Sequence, residues 1–178
     1  MAKRAKQFEF KDKYLDRPGD EFGGSLLKGN PKGRRPLDAK FPIHLTLRAR
    51  QSGMRRPQTF GAVNAQVYAS ARKYGVRIYR FANVGNHLHL LLKLPRRHRW
   101  APFIRELTGR IAQLMQVDKG FWLYRPYTRV VRGWRRAFRI AKDYVYLNEL
   151  ESESWVDRDK TKSLKDLRAI FADALNTA

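Results

Sequence analysis

Gly85-Asn86-His87-Leu88-His89-Leu90-Leu91-Leu92 reads as a buried β-strand that carries two imidazoles. Successive strand side chains point to opposite faces, so His87 and His89 project from one face and Leu88, Leu90 and Leu92 from the other. Two imidazoles side by side can converge on a metal ion. The same spacing also suits two hydrogen-bonded polar residues on a half-exposed face, and the rest of the chain has to decide.

Upstream, Val76 to Val84 is β-branched and aromatic, and Gly85-Asn86 turns it into the histidine strand as a hairpin. Before that lies a helical segment from about Phe60 to Tyr74, preceded by Pro57 and stopped by Gly75. The alternating run Phe41 to Arg50 predicts a first strand. Downstream, Phe103, Leu107, Ile111 and Leu114 recur at helical spacing over about Trp100–Val117. Phe121 to Val131 predicts a fourth strand, which Pro126 places at an edge or interrupts, and a further helix covers about Arg132–Leu150.

The order is βαββαβ. It predicts an α+β fold, a ferredoxin-like antiparallel sheet with helices on one face and an additional C-terminal helix. Residues 1–40 mix Gly, Pro and charge and read as a basic, mostly irregular leader. Residues 41–150 form the body, and 151–178 a tail with a short helix over Ser163–Leu175. No internal repeat is present.

The 178 residues carry 38 Lys and Arg against 16 Asp and Glu, a formal +22. Such an excess points to a polyanionic partner. Its distribution is informative: residues 41–148 hold 22 basic and only 3 acidic side chains, whereas 149–178 hold 5 basic and 7 acidic. The folded body therefore carries the charge, which speaks against a disordered basic tail. With no cysteine, a metal must take nitrogen and oxygen ligands, and disulfides are excluded. No apolar run reaches membrane-spanning length and the charged N-terminus leads into no hydrophobic segment, so no membrane partner and a cytoplasmic location are expected.

On the last helix of the body, Tyr144 and Asn148 are four residues apart and share one face. Alone, such a pair is far more often packing and surface. Together with the His-Leu-His strand and the βαββαβ order, it resembles the HUH single-strand endonucleases, and among them the single-tyrosine transposases. Asn86-His87-Leu88-His89 followed by three leucines, and Tyr144 with Asn148 in a Tyr-x-x-x-Asn pattern, are most similar to the REP-associated tyrosine transposases. The resemblance spans about residues 41–150.

It implies a DNA transposase that nicks and rejoins single-stranded or hairpin DNA. Tyr144 would be the nucleophile and form a 5′-phosphotyrosine. His87, His89 and Asn148 would hold Mg²⁺ or Mn²⁺, a set that leaves positions open for substrate, unlike a closed zinc cage. Phenol, with a pKa near 10, needs such assistance near neutrality. Arg125, Arg129, Arg132, Arg135 and Arg136 near the nucleophile, and Arg96, Arg97 and Arg99 after the histidine strand, are candidate DNA contacts. Trp100, Trp122 and Trp134 are candidates either for stacking on bases or for the core. His44 resembles part of the family's first strand, in a structural or DNA-contacting role.

Two features depart from the family pattern. Glu149 follows Asn148 where many relatives have proline, and Tyr146 offers a second phenol. At 3.6 residues per turn Tyr146 lies about 200° round the helix from Tyr144, so only one can face the metal, and Tyr144 alone has Asn at i+4. A compact core and the REP-associated likeness favour a monomer. A relaxase-type initiator shares the histidine motif, but with a different circular order of elements. A non-catalytic basic module that binds RNA or hairpins also fits a basic, aromatic sheet.

Overall fold

The computed structural model describes residues 19–27, 33–117, 119–155 and 165–166. Its elements are β1 (Glu21–Phe22), β2 (Ile43–Arg48), α1 (Pro57–Tyr74), β3 (Arg77–Asn83), β4 (His87–Lys93), α2 (Trp100–Leu114), β5 (Tyr127–Val130) and α3 (Arg136–Ser152). The sheet runs β1-β5-β2-β4-β3 with every neighbouring pair antiparallel. The last four strands of that order, with α1 and α2, form the expected ferredoxin-like unit.

The two-residue alternation of β4 builds the layers. Leu88, Leu90 and Leu92 are fully buried with Ile43, Leu45 and Leu47 of β2, beneath Val63 and Val67 of α1 and Phe103, Leu107 and Ile111 of α2. Each such side chain contributes about 1.5–3 kcal/mol by leaving water. The opposite face of β4 carries His87, His89, Leu91 and Lys93. Here α3 packs through Ala137, Ala141, Tyr144 and Val145 on Ala82, Leu91 and Val131. The additional helix thus takes the face that α1 and α2 leave open.

Local signals set several boundaries. Pro57 occupies the first turn of α1, and Gly75 ends it at φ 67°, donating its N–H to the carbonyls of Ala71 and Arg72. α3 begins at Arg136 rather than Arg132, because Gly133 at φ 138° turns the chain after β5. The strand read over Phe121–Val131 is divided. Trp122 bridges Ala49 across from the end of β2, and Tyr127 resumes pairing only after Pro126.

Part of the expected leader belongs to the sheet. Glu21 and Phe22 pair with Arg129 and Thr128. Arg35 donates to the carbonyls of Phe22 (3.2 Å) and Pro126 (2.8 Å) and to Thr128 Oγ1 (2.7 Å), between the rings of Phe22 and Trp100. The helix read over Ser163–Leu175 lies outside the described residues except at Lys165 and Asp166. Among the described residues no helix is long and apolar enough to cross a membrane.

Candidate active site

Antiparallel register lays a lane of polar side chains across the α3 face of an otherwise apolar sheet. His89 on β4 pairs with Thr46 on β2, His87 with Arg48, and His44 with Arg129 on β5. The rings of His87 and His89 stand 4.7 Å apart, edge to face. The ring of Tyr144, on α3, lies 5.6 Å from that of His89 and 5.4 Å from that of His44, edge-on to both. The structure therefore brings His87, His89 and Tyr144 together from β4 and α3.

Hydrogen bonds tie the three imidazoles to their neighbours. Nδ1–H of His87 donates to Oδ1 of Asn86 at 2.6 Å. Burial, aided by Arg48, pushes the His87 pKa down to about 4, so the ring is neutral near pH 7. His44 is pushed lower, to about 3, by burial and by Arg129. A neutral His44 can accept at Nε2, which lies 3.2 Å from Nδ1 of His89, while Thr46 Oγ1 lies 3.3 Å from the same nitrogen. With His44 accepting in this way, His89 carries its proton on Nδ1 and its lone pair on Nε2. This is the way a ligating imidazole is oriented by the partner of its other nitrogen.

The two imidazoles and the Asn148 amide are nitrogen and oxygen donors of the types that a divalent cation takes. His87 has its Nδ1 taken by Asn86, so Nε2 is the nitrogen it offers. Asn148 is buried, and its Nδ2 donates to the carbonyl of Tyr144 at 2.7 Å, which leaves the amide oxygen as the acceptor end. Among the described residues no group of three or more His, Cys, Asp or Glu side chains is placed to hold a metal, so any site here rests on the histidine pair and an amide.

The other tyrosines near the lane are committed elsewhere. The Arg80 guanidinium lies 4.1 Å over the Tyr146 ring, away from the histidines. Tyr127, 6.3 Å from His44 between ring centroids, donates its hydroxyl to Glu21 at 2.8 Å, and burial raises its pKa. Tyr144 itself is only 6% exposed. Its helix is pinned at the far end by the Arg80–Glu149 ion pair and by Arg55, which donates to Ser152 Oγ at 2.9 Å.

The candidate DNA-contacting arginines divide into two groups. Arg129 is buried and ion-paired with Glu21. Arg132 binds Asp20 at 2.7 Å and Asp38 at 3.4 Å. Arg97 donates to the carbonyls of Leu37 and Arg35. These three hold Asp20, Glu21 and residues 35–38 against the body. Arg96, Arg99, Arg125, Arg135 and Arg136 are exposed. Of the tryptophans, Trp100 and Trp122 pack against the core, and Trp122 Nε1 donates to the Thr108 carbonyl, whereas Trp134 is 44% exposed.

Sequence reasoning gave His44 only a marginal place and missed Thr46 and Arg48 as site residues. The signal lay in the alternation of Ile43-His44-Leu45-Thr46-Leu47-Arg48, whose polar members share one face at the same period as His87 and His89. Only the register shows that they meet.

No family model matches the sequence, and no curated protein matches it. Among solved structures, the chain is similar to a REP-associated tyrosine transposase bound to a REP hairpin. The TM-score is 0.57 at 20% identity, over 71% of this chain and 76% of that one. The two proteins share the fold.

Proposed function

We propose that the protein cleaves and rejoins single-stranded or hairpin DNA through Tyr144. The observation that carries the reading is the Tyr144 ring set edge-on against His44 and His89, on the sheet face that holds the histidine pair. The hairpin held by the structural neighbour and the +22 charge support the substrate class.

In this reading Tyr144 Oη gives up its proton and bonds to a backbone phosphorus. The bond from that phosphorus to the preceding 3′ oxygen breaks, and this oxygen takes up a proton. The products are a 5′-phosphotyrosine and a free 3′-hydroxyl, and attack by a second 3′-hydroxyl reverses the sequence and joins strands. A divalent cation held by His87, His89 and Asn148 would polarise a phosphate oxygen. Asn86, His44 and Thr46 orient the two imidazoles, and Arg48 brings positive charge to the same edge as His87.

The burial of Tyr144 also supports a second reading, a binding module in which this ring only packs. One experiment separates the two. End-labelled hairpin DNA is incubated with Mn²⁺ and either wild type or Tyr144→Phe, then run on a denaturing gel. A covalent adduct lost in Tyr144→Phe supports the enzyme. Hairpin binding that ignores chelator, with no adduct, supports the module.

A further inference from the structure

A second feature of the α3 face lies at the opposite end of β4 from His87. The pairing of β3 with β4 slips between Ile78, opposite Leu92, and Arg80, opposite Leu91, leaving Tyr79 as the extra residue. Such a bulge adds a residue to one strand and re-aims side chains. Ile78 and Phe81 stay with the α1–α2 core, while Tyr79 and Arg80 both turn to the α3 side. Arg80 reaches Tyr146 and Glu149. Tyr79 meets Trp134 at 5.9 Å and Phe138 at 5.1 Å, with Trp134 and Phe138 5.6 Å apart.

Tyr79 and Phe138 pack against the buried cluster beneath α3 and brace Trp134, which remains 44% exposed. Cations surround this aromatic shelf. Lys93 Nζ lies over one face of the Trp134 ring, 5.1 Å from its centroid, and the Arg77 guanidinium lies over the Tyr79 ring at 5.2 Å. Arg135, Arg136 and Arg139 crowd the first turn of α3, which has no acidic residue. Positive side chains there oppose the helix dipole, a conflict that a bound anion relieves.

We infer that Trp134, braced by Tyr79 and Phe138, is a stacking platform for an unpaired base of single-stranded DNA, with Lys93, Arg77 and the arginines of the first turn of α3 taking the flanking phosphates. An aromatic surface ringed by cations suits a ligand with flat apolar faces on an anionic backbone. Lys93 lies four residues beyond His89, about 13 Å along the strand, too far to touch the same phosphate. The platform would therefore hold the strand beyond the point of cleavage. This inference rests on the DNA reading above and names where that strand runs.

The test is the fluorescence anisotropy of a fluorescein-labelled oligo-dT, which forms no hairpin, titrated with the full chain, alongside photo-crosslinking with an oligo-dT carrying 5-iododeoxyuridine. Trp134→Leu is expected to weaken binding by about 5- to 150-fold, the range for one stacked base, and Trp134→Phe to retain affinity within about 3-fold. The wild-type crosslink is expected on Trp134 or Tyr79, a readout that does not depend on any variant folding. Unchanged affinity in Trp134→Leu, a crosslink confined to other residues, or a tenfold preference for oligo-U would overturn the inference. A crosslink at Trp134 in a protein that forms no adduct at Tyr144 would keep the platform and sink the chemistry. An adduct at Tyr144 without that crosslink would do the reverse.

Discussion

Replacing Asn83 by alanine would unlock the turn that leads into the histidine strand. Asn83 is 3% exposed. Its Nδ2 donates to the Met54 carbonyl at 2.8 Å and to Asn64 Oδ1 at 3.1 Å, and its Oδ1 accepts from the Gly85 N–H at 3.1 Å. The Gly85 carbonyl in turn accepts from Gly53 and Met54, so one side chain ties the loop before α1 to the β3–β4 turn. Alanine leaves the Gly85 N–H and the Met54 carbonyl without the Asn83 side chain, while the partly exposed Asn64 can turn to water. Two buried groups at about 1–3 kcal/mol each give a loss of about 3 kcal/mol. At about 2–4 °C per kcal/mol for a chain of this size, Tm should fall by about 6–12 °C. Urea denaturation followed by circular dichroism measures the loss. A change below about 1 kcal/mol would refute the view that this network holds the turn.

Asn86→Ala leaves the fold in place but frees the His87 ring to rotate. Mn²⁺ affinity, measured by calorimetry, should drop by about 10- to 100-fold, as for other lost partners of ligating imidazoles. Acid should destabilise the fold through His44 and His87. Both have folded pKa values below the unfolded 6.5, so their contribution is complete above that pH. It is lost as pH falls towards about 4 for His87 and about 3 for His44. Each proton taken up on unfolding gives a slope of about 1.4 kcal/mol per pH unit, and His44→Gln should roughly halve the slope of unfolding free energy between pH 6 and 5. Arg35→Lys should destabilise by about 2 kcal/mol in the same urea assay, because an ammonium cannot reproduce a guanidinium stacked between two rings. A neutral substitution would mean that the segment around Arg35 is not clasped.

Much of the fold was legible because its signals are local. Gly75 stops α1, Gly85-Asn86 turns the hairpin, and the leucine alternation on β4 sorts its two faces. The histidine pair and Tyr144 were legible too, since two-residue and helical periods fix which side chains share a face. What could not be read depends on pairing. His44 and Thr46 meet His89 only through the β2–β4 register, and Tyr79 turns towards Trp134 only through the bulge. Charge totals likewise concealed that Arg129 and Arg132 answer Glu21, Asp20 and Asp38, because a count of cations does not show which are already paired. β1 escaped notice because a two-residue strand has no period.

The central claim is that Tyr144, not Tyr146 or another phenol, bonds to DNA. Trypsin releases residues 143–158 as one peptide, which contains both tyrosines. The most direct measurement is tandem mass spectrometry of that peptide from the hairpin adduct formed in Mn²⁺, after nuclease trimming of the DNA. A residual nucleotide phosphate on Tyr144 and an unmodified Tyr146 are expected. A phosphate on Tyr146, or on a tyrosine outside this peptide, would contradict that claim.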